Sequence, residues 1–230
     1  MFKSIILTIV FLFFWSLTSN GQLSEGEKTM TTANLHDFST LLSTTDLRDK
    51  DVKGNVYINA EFSPAKLSNN KTIYSANYNA YQDQIVINAN GKKFTVAKSF
   101  DNTVTFLNDN KVYKAYNYEE HGKNKTGFFV VLTLGKELSL LNKERIKFYE
   151  EKEAHSGYDS YIPPTFKRES DELFLGFKDY SAKKVPNKKK HIFKLFKDKG
   201  KEVEKFAKDN KLNPKKENDL IKLVMYYNTL

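Results

Sequence analysis

From Asn55 to Tyr149 the apolar positions recur at every second residue, and after Pro186 they recur at every third or fourth. Alternation places successive side chains on opposite faces of a strand, whereas the longer spacing gathers them on one face of a helix. Val56, Ile58, Ala60 and Phe62 predict one half-buried strand, and Tyr74, Ala76, Tyr78 and Ala80 a second. Ile85 and Ile87 lead into Asn90-Gly91, a pair that tolerates positive φ and marks a hairpin returning through Phe94 and Val96. Further strands are expected at Val104–Phe106, Val112–Tyr116 and Leu138–Leu141, and again at Ile146 and Phe148. Phe128-Phe129-Val130-Val131-Leu132 is apolar at every position, so that strand should be covered on both faces. Residues 150–170 read as a loop, and Leu173, Leu175 and Phe177 as one more strand.

Beyond Pro186, Ile192, Phe193 and Phe196 share a helical face. Gly200 ends or kinks that helix; Val203, Phe206 and Ala207 continue as a second. Asn213-Pro214 starts a third, whose stripe is Leu220, Ile221, Leu223, Val224 and Tyr227. Short turns between strands, with no helix between them, exclude a doubly wound parallel sheet. The expected fold is α+β: an antiparallel β-meander over 54–180, barrel-like or a sandwich, with Lys-rich helices over 181–230 packed on it.

The N-terminal end has a different pattern. Lys3 precedes an apolar run from Ile5 to Leu17, followed by Ser19 and Gly21. A positive residue, a short apolar core and small residues before Gln22 are the signature of a secretory signal peptide over 1–21. The run is too short for the roughly 20 residues of a membrane-spanning helix. Residues 22–53 are polar, with a short helix expected over about 34–43. The expected location is therefore outside the cytoplasm: periplasm, outer membrane or extracellular space.

Cysteine is absent, which removes disulfides, thiolate metal sites and cysteine nucleophiles. The net charge of +9 is local. Residues 181–216 hold 14 lysines against 4 acids. The ordinary reading is a solvated helix face. The functional reading is a surface for anionic envelope lipid or glycan, carried by Lys188, Lys189, Lys190, Lys194 and Lys197. Export argues against nucleic acid as the partner. No arginine lies in this stretch to supply bidentate phosphate recognition.

Candidate chemistry is sparse. Glu119-Glu120-His121 reads as a polar hairpin tip. His155, Ser156 and Asp159 are close in sequence but lack the strand–turn–helix elbow of a serine nucleophile. No phosphate loop or dinucleotide fingerprint is present, and neither a cofactor nor a metal is implied. Tyr57, Tyr74, Tyr78, Tyr113 and Tyr116 crowd the strand region. They either line a ligand groove or cover the rim of the sheet.

Gly54–Phe62, Asn77–Asp83 and a Lys-rich end closing on Tyr226-Tyr227-Asn228 resemble a group of small, functionally uncharacterised exported proteins of Bacteroidota-type bacteria. The resemblance implies a single architectural unit and export. Its motifs look structural, so it assigns no catalytic or binding residue. The C-terminal end does not resemble the β-sandwich sorting domain of type IX secretion, which favours periplasm or outer membrane. The functional expectation is an exported, non-enzymatic binding or envelope-associated protein. A periplasmic lipid carrier with a half-barrel, or a hydrolase of envelope polymers, is the alternative.

Overall fold

A computed structural model describes residues 52–68, 71–89, 91–154 and 160–230. The expected signal peptide over 1–21, the expected helix over 34–43 and the His155/Ser156/Asp159 grouping lie outside the described residues. Within them the chain is α+β, with twelve strands followed by short helices. The strands are β1 (Ser63–Leu67), β2 (Ile73–Asn79), β3 (Gln84–Ala89), β4 (Lys92–Thr95), β5 (Thr103–Phe106) and β6 (Lys111–Glu120). They continue as β7 (Lys123–Thr133), β8 (Leu138–Lys143), β9 (Ile146–Tyr149), β10 (Thr165–Arg168), β11 (Glu172–Phe177) and β12 (Ser181–Lys184).

Ten strands form one sheet in the order β12-β11-β8-β7-β6-β5-β1-β2-β3-β4, and β9 and β10 pair separately. The long strand β6 is shared between two parts. Its first residues pair with β5, from Phe106↔Lys111 to Thr103↔Lys114. Further along, Asn117 and Tyr118 pair in parallel with Ser181 and Ala182 of β12. The second pairing closes β6, β7, β8, β11 and β12 into a small barrel, and the remaining strands extend from it as an open meander. β7 is the apolar strand of the sequence, held between β6 and β8 and buried over Gly127–Val130.

Three turns follow directly from the sequence. β3 and β4 pair across the Asn90-Gly91 position, with Gly91 at φ 79°. The β6–β7 tip is His121-Gly122, both left-handed at φ 51° and 74°, closed by Glu120↔Lys123. Asn110 takes φ 54° before β6.

Other expectations need correction. Residues 55–62 do not form a regular strand. They run beside β2 through Ile58 N–H to the Tyr78 carbonyl and Ala80 N–H to the Val56 carbonyl. The buried Asn77 amide then donates to the Asn59 and Glu61 carbonyls at 2.9 and 3.0 Å, taking acceptors that a ladder would use. The strand proper begins at Ser63 and contains Pro64, whose carbonyl accepts Leu107 N–H. The 150–170 loop contains β10, whose Phe166 packs at 5.0 Å from Phe148. β12 continues the sheet past residue 180, and its parallel contact with β6 makes the sheet not wholly antiparallel.

The helices are α1 (Lys189–Lys194), a 3-10 turn (Lys197–Lys199), α2 (Gly200–Asp209) and α3 (Glu217–Tyr227). Gly200 opens α2, where an added Cβ would lie 2.5 Å from the Phe193 carbonyl oxygen. Ile192, Phe196, Val203, Ala207, Leu220, Leu223 and Val224 pack on Leu138, Leu140, Leu175 and Phe177. Each large apolar side chain buried this way contributes about 1.5–3 kcal/mol. Tertiary docking, not helix propensity, therefore holds these short helices. Asn228 locks the end of the layer. Its Oδ1 accepts Glu137 and Leu138 N–H, and its Nδ2 donates to the Leu138 and Val224 carbonyls. Among the described residues no helix is long and apolar enough to cross a membrane.

Candidate functional site

The interior of the small barrel is filled by Tyr116, Tyr118, Phe129, Leu141, Phe174 and Ala182. Along β8, alternation sends Leu141 inward, and by the same period it sends Lys143 inward. Lys143 is 2% exposed. Its ammonium lies 4.8 Å from the centroid of the Phe129 ring and 5.3 Å from that of Tyr118. A charge so placed requires a partner. Asp83 supplies it from the β2–β3 turn, where its backbone adopts φ 57°.

The Asp83 carboxylate gathers four donors. Its Oδ1 accepts Lys143 Nζ at 2.8 Å, the Tyr78 hydroxyl at 2.7 Å and Phe128 N–H at 3.0 Å. Its Oδ2 accepts Lys98 Nζ at 3.0 Å. Lys143 also donates to the Phe128 carbonyl at 2.8 Å. β8 leaves β7 beyond Val130↔Asn142, so the ion pair occupies the place of a ladder partner for Phe128. Gly127 makes room for it: a Cβ there would lie 2.6 Å from Asp83 Oδ2 and 2.8 Å from Lys143 Nζ.

Burial pushes the Lys143 ammonium down to about 8, against the attraction of Asp83 and with help from Arg145 and Lys98. Burial raises Tyr78 well above the ordinary phenol range, and Asp83 adds to it. Tyr118 is raised to about 12, first by burial and then by Asp83 and Glu120.

Above this pair, a chain of alternating charge crosses the mouth of the barrel. Lys125 of β7 meets Glu120 of β6 at 2.6 Å, and Glu120 meets Arg145 at 2.5 Å. Arg145 Nε reaches Glu172 of β11 at 3.0 Å, and Glu172 pairs with Lys184 of β12. Strand ends from around the barrel are thus tied by one network. Burial would raise Glu120, but its hydrogen bond with Lys125 and the charges of Arg145 and Lys125 hold it below the ordinary carboxylate range. Glu172 is held low against burial in the same way by Lys184 and Arg145.

These groups border a cleft of about 1060 Å³. Its lining holds Lys98, Lys125, Lys143, Arg145, Lys147 and Lys184 against six acids, so the formal charge cancels. Tyr81 stands in the wall, 47% exposed and edge-on to Phe166 at 5.0 Å. A second buried cluster lies outside the cleft lining and is joined to it through the Arg168–Asp171 ion pair. There Glu144, 4% exposed, accepts Lys111 at 3.1 Å, Arg168 at 3.2 Å and the Tyr113 hydroxyl.

The five tyrosines expected from the sequence do not line one groove, although the rings of Tyr78 and Tyr113 meet at 4.8 Å inside the core. Tyr78 and Tyr113 are core residues whose hydroxyls donate to Asp83 and Glu144. Tyr116 is buried in the barrel interior, and Tyr74 packs on the edge of the meander core. Tyr57 lies beside β2 with its ring edge-on to Phe62 at 5.3 Å. The tyrosines that do reach the cleft are Tyr81 and Tyr118. Lys188, Lys189, Lys190 and Lys194 are exposed on and before α1, while Lys197 sits 4.6 Å from the centroid of the Phe177 ring. Glu119-Glu120-His121 is indeed a hairpin tip, but Glu120 also belongs to the mouth network.

An ammonium has three donors, and those of Lys143 face the Asp83 carboxylate, the Phe128 carbonyl and, more distantly at 3.5 Å, the Tyr78 hydroxyl. Glu120 and Glu172 are shifted away from the range a general acid requires. Among the described residues no three His, Asp or Glu side chains are grouped to hold a metal ion. Fold and site together define an α+β protein with a charged cleft at a barrel mouth and a basic helical layer. No family model, curated protein or solved structure matches the chain.

Proposed function

We propose that this chain is an exported, non-enzymatic binding protein that associates with a phosphate-bearing cell-envelope surface through its helical layer. One observation carries the reading. The layer turns its apolar face to β8 and β11, and 13 of the 14 lysines in residues 181–216 are exposed. Only Lys184, Lys199 and Lys208 of these make ion pairs with acids among the described residues. The remaining lysines keep their charge available to an outside partner. Lysine suits a diffuse headgroup surface, because it acts as a point charge without a fixed bidentate geometry. Each lysine close to an anionic surface contributes about 1 kcal/mol. The apolar run at Ile5–Leu17 supports export.

The test is fractionation of the native host. The protein should sediment with envelope membranes at low salt and be released by a high-salt wash without detergent. Recovery in the soluble fraction at low salt, or release only by detergent, refutes the proposal.

A further inference from the structure

We infer that the barrel-mouth cleft is a binding site for a neutral, polyhydroxylated ligand of the oligosaccharide class. The inference does not rest on the surface reading: of the lysines in residues 181–216 only Lys184 lines the cleft, and it is already paired with Glu172. Three features carry it.

The cleft is large enough for several sugar rings, at about 1060 Å³. Its polar groups are fixed by one another before any ligand arrives. Lys125, Glu120, Arg145, Glu172 and Lys184 form one continuous chain of ion pairs. A sugar hydroxyl both donates and accepts. It can therefore bridge a carboxylate and a neighbouring cation without breaking their pair. Ammonium and guanidinium groups carry several N–H donors, and each carboxylate oxygen accepts more than one hydrogen bond. Prior fixing of these groups reduces the entropy lost on binding.

Charge discriminates against other occupants. The cations and acids of the lining cancel, so a polyanion gains little there and must compete with carboxylates already in place. A lipid tail would have to strip water from ionised walls. Tyr81 supplies the third feature. Its ring is held edge-on by Phe166 yet remains 47% exposed, which leaves ring surface for the C–H face of a sugar.

The experiment is ligand-observed NMR on the full chain with maltotetraose, tetra-N-acetylchitotetraose and tetragalacturonate as probes. Saturable binding of at least one neutral tetramer is expected, little changed by high salt. Tyr81→Ala should weaken it about three- to ten-fold, Tyr81→Phe should restore it, and both variants should remain fully folded at the temperature of the binding measurement. No saturation by either neutral tetramer up to about 5 mM, beyond the weak end of specific affinity, overturns the inference. So does binding of the acidic tetramer alone with loss in salt, or neutral binding that Tyr81→Ala leaves intact.

Discussion

Asp83→Asn isolates the charge of Lys143 with the least change of shape. Asparagine keeps an oxygen for Phe128 N–H and the Tyr78 hydroxyl, which lie 3.0 and 2.7 Å from Asp83 Oδ1. What disappears is the negative charge facing an ammonium only 2% exposed. Removing one member of a buried pair costs about 3–5 kcal/mol. The loss of the partly exposed Lys98 contact adds less than about 1 kcal/mol. Lys143 escapes much of the buried-pair cost by shedding its proton, since it already sits near 8, so guanidinium denaturation at pH 7 should show a loss of about 1–2 kcal/mol. At pH 10 the loss should shrink, because Lys143 sits near 8 even with its partner and is then largely neutral in both proteins. Adding Lys143→Met to Asp83→Asn should recover most of the stability at pH 7, since a neutral Met beside a neutral Asn leaves no stranded charge. No measurable loss at pH 7, or an equal loss at pH 10, would show that Asp83 does not hold the charge of Lys143.

The wild-type protein should gain stability as the pH rises from about 8 towards 10. There the unfolded chain holds a proton on Lys143, near the ordinary 10.5, that the folded chain has shed. The gain should be absent in Lys143→Met, and above pH 10 it should be offset as the unfolded chain ionises tyrosines that the fold keeps neutral, Tyr78 and Tyr118 among them. Gly127→Ala should cost about 1–3 kcal/mol in the same denaturation assay, because its Cβ enters the space between Asp83 and Lys143. Asn228→Ala should cost about 2–3 kcal/mol and loosen the helical layer first, seen as faster amide exchange in α3 than in β7.

Strand periodicity, the His121-Gly122 tip and the docking of the C-terminal helices were all legible in the sequence, since each depends on local spacing. β1 was not, because Pro64 argues against a strand and Val56–Phe62 offers a cleaner alternation. The Asn77 amide decides that competition from outside the segment. Closure of the barrel was equally hidden, since it depends on a two-residue parallel contact between strands about sixty residues apart. Of the mouth, Lys143 left a trace: it falls at an inward position of Leu138–Lys143, where an isolated lysine demands a partner. Its partner Asp83 lies about sixty residues away in a turn, so no spacing rule connects them. Tyrosine content marked the strand region, but the spacing did not show that Tyr78, Tyr113 and Tyr116 would be buried, because rings at inward positions fill the core.

Binding of the purified chain to vesicles with and without anionic phospholipid decides whether the lysine-rich layer faces an anionic membrane. Association is expected with the anionic vesicles alone, falling steeply with salt. Charge reversal at Lys188, Lys189 and Lys190 should weaken it by at least about 100-fold, from about 1 kcal/mol per lysine. Equal binding to neutral vesicles, or binding indifferent to salt and to these three lysines, would contradict that reading.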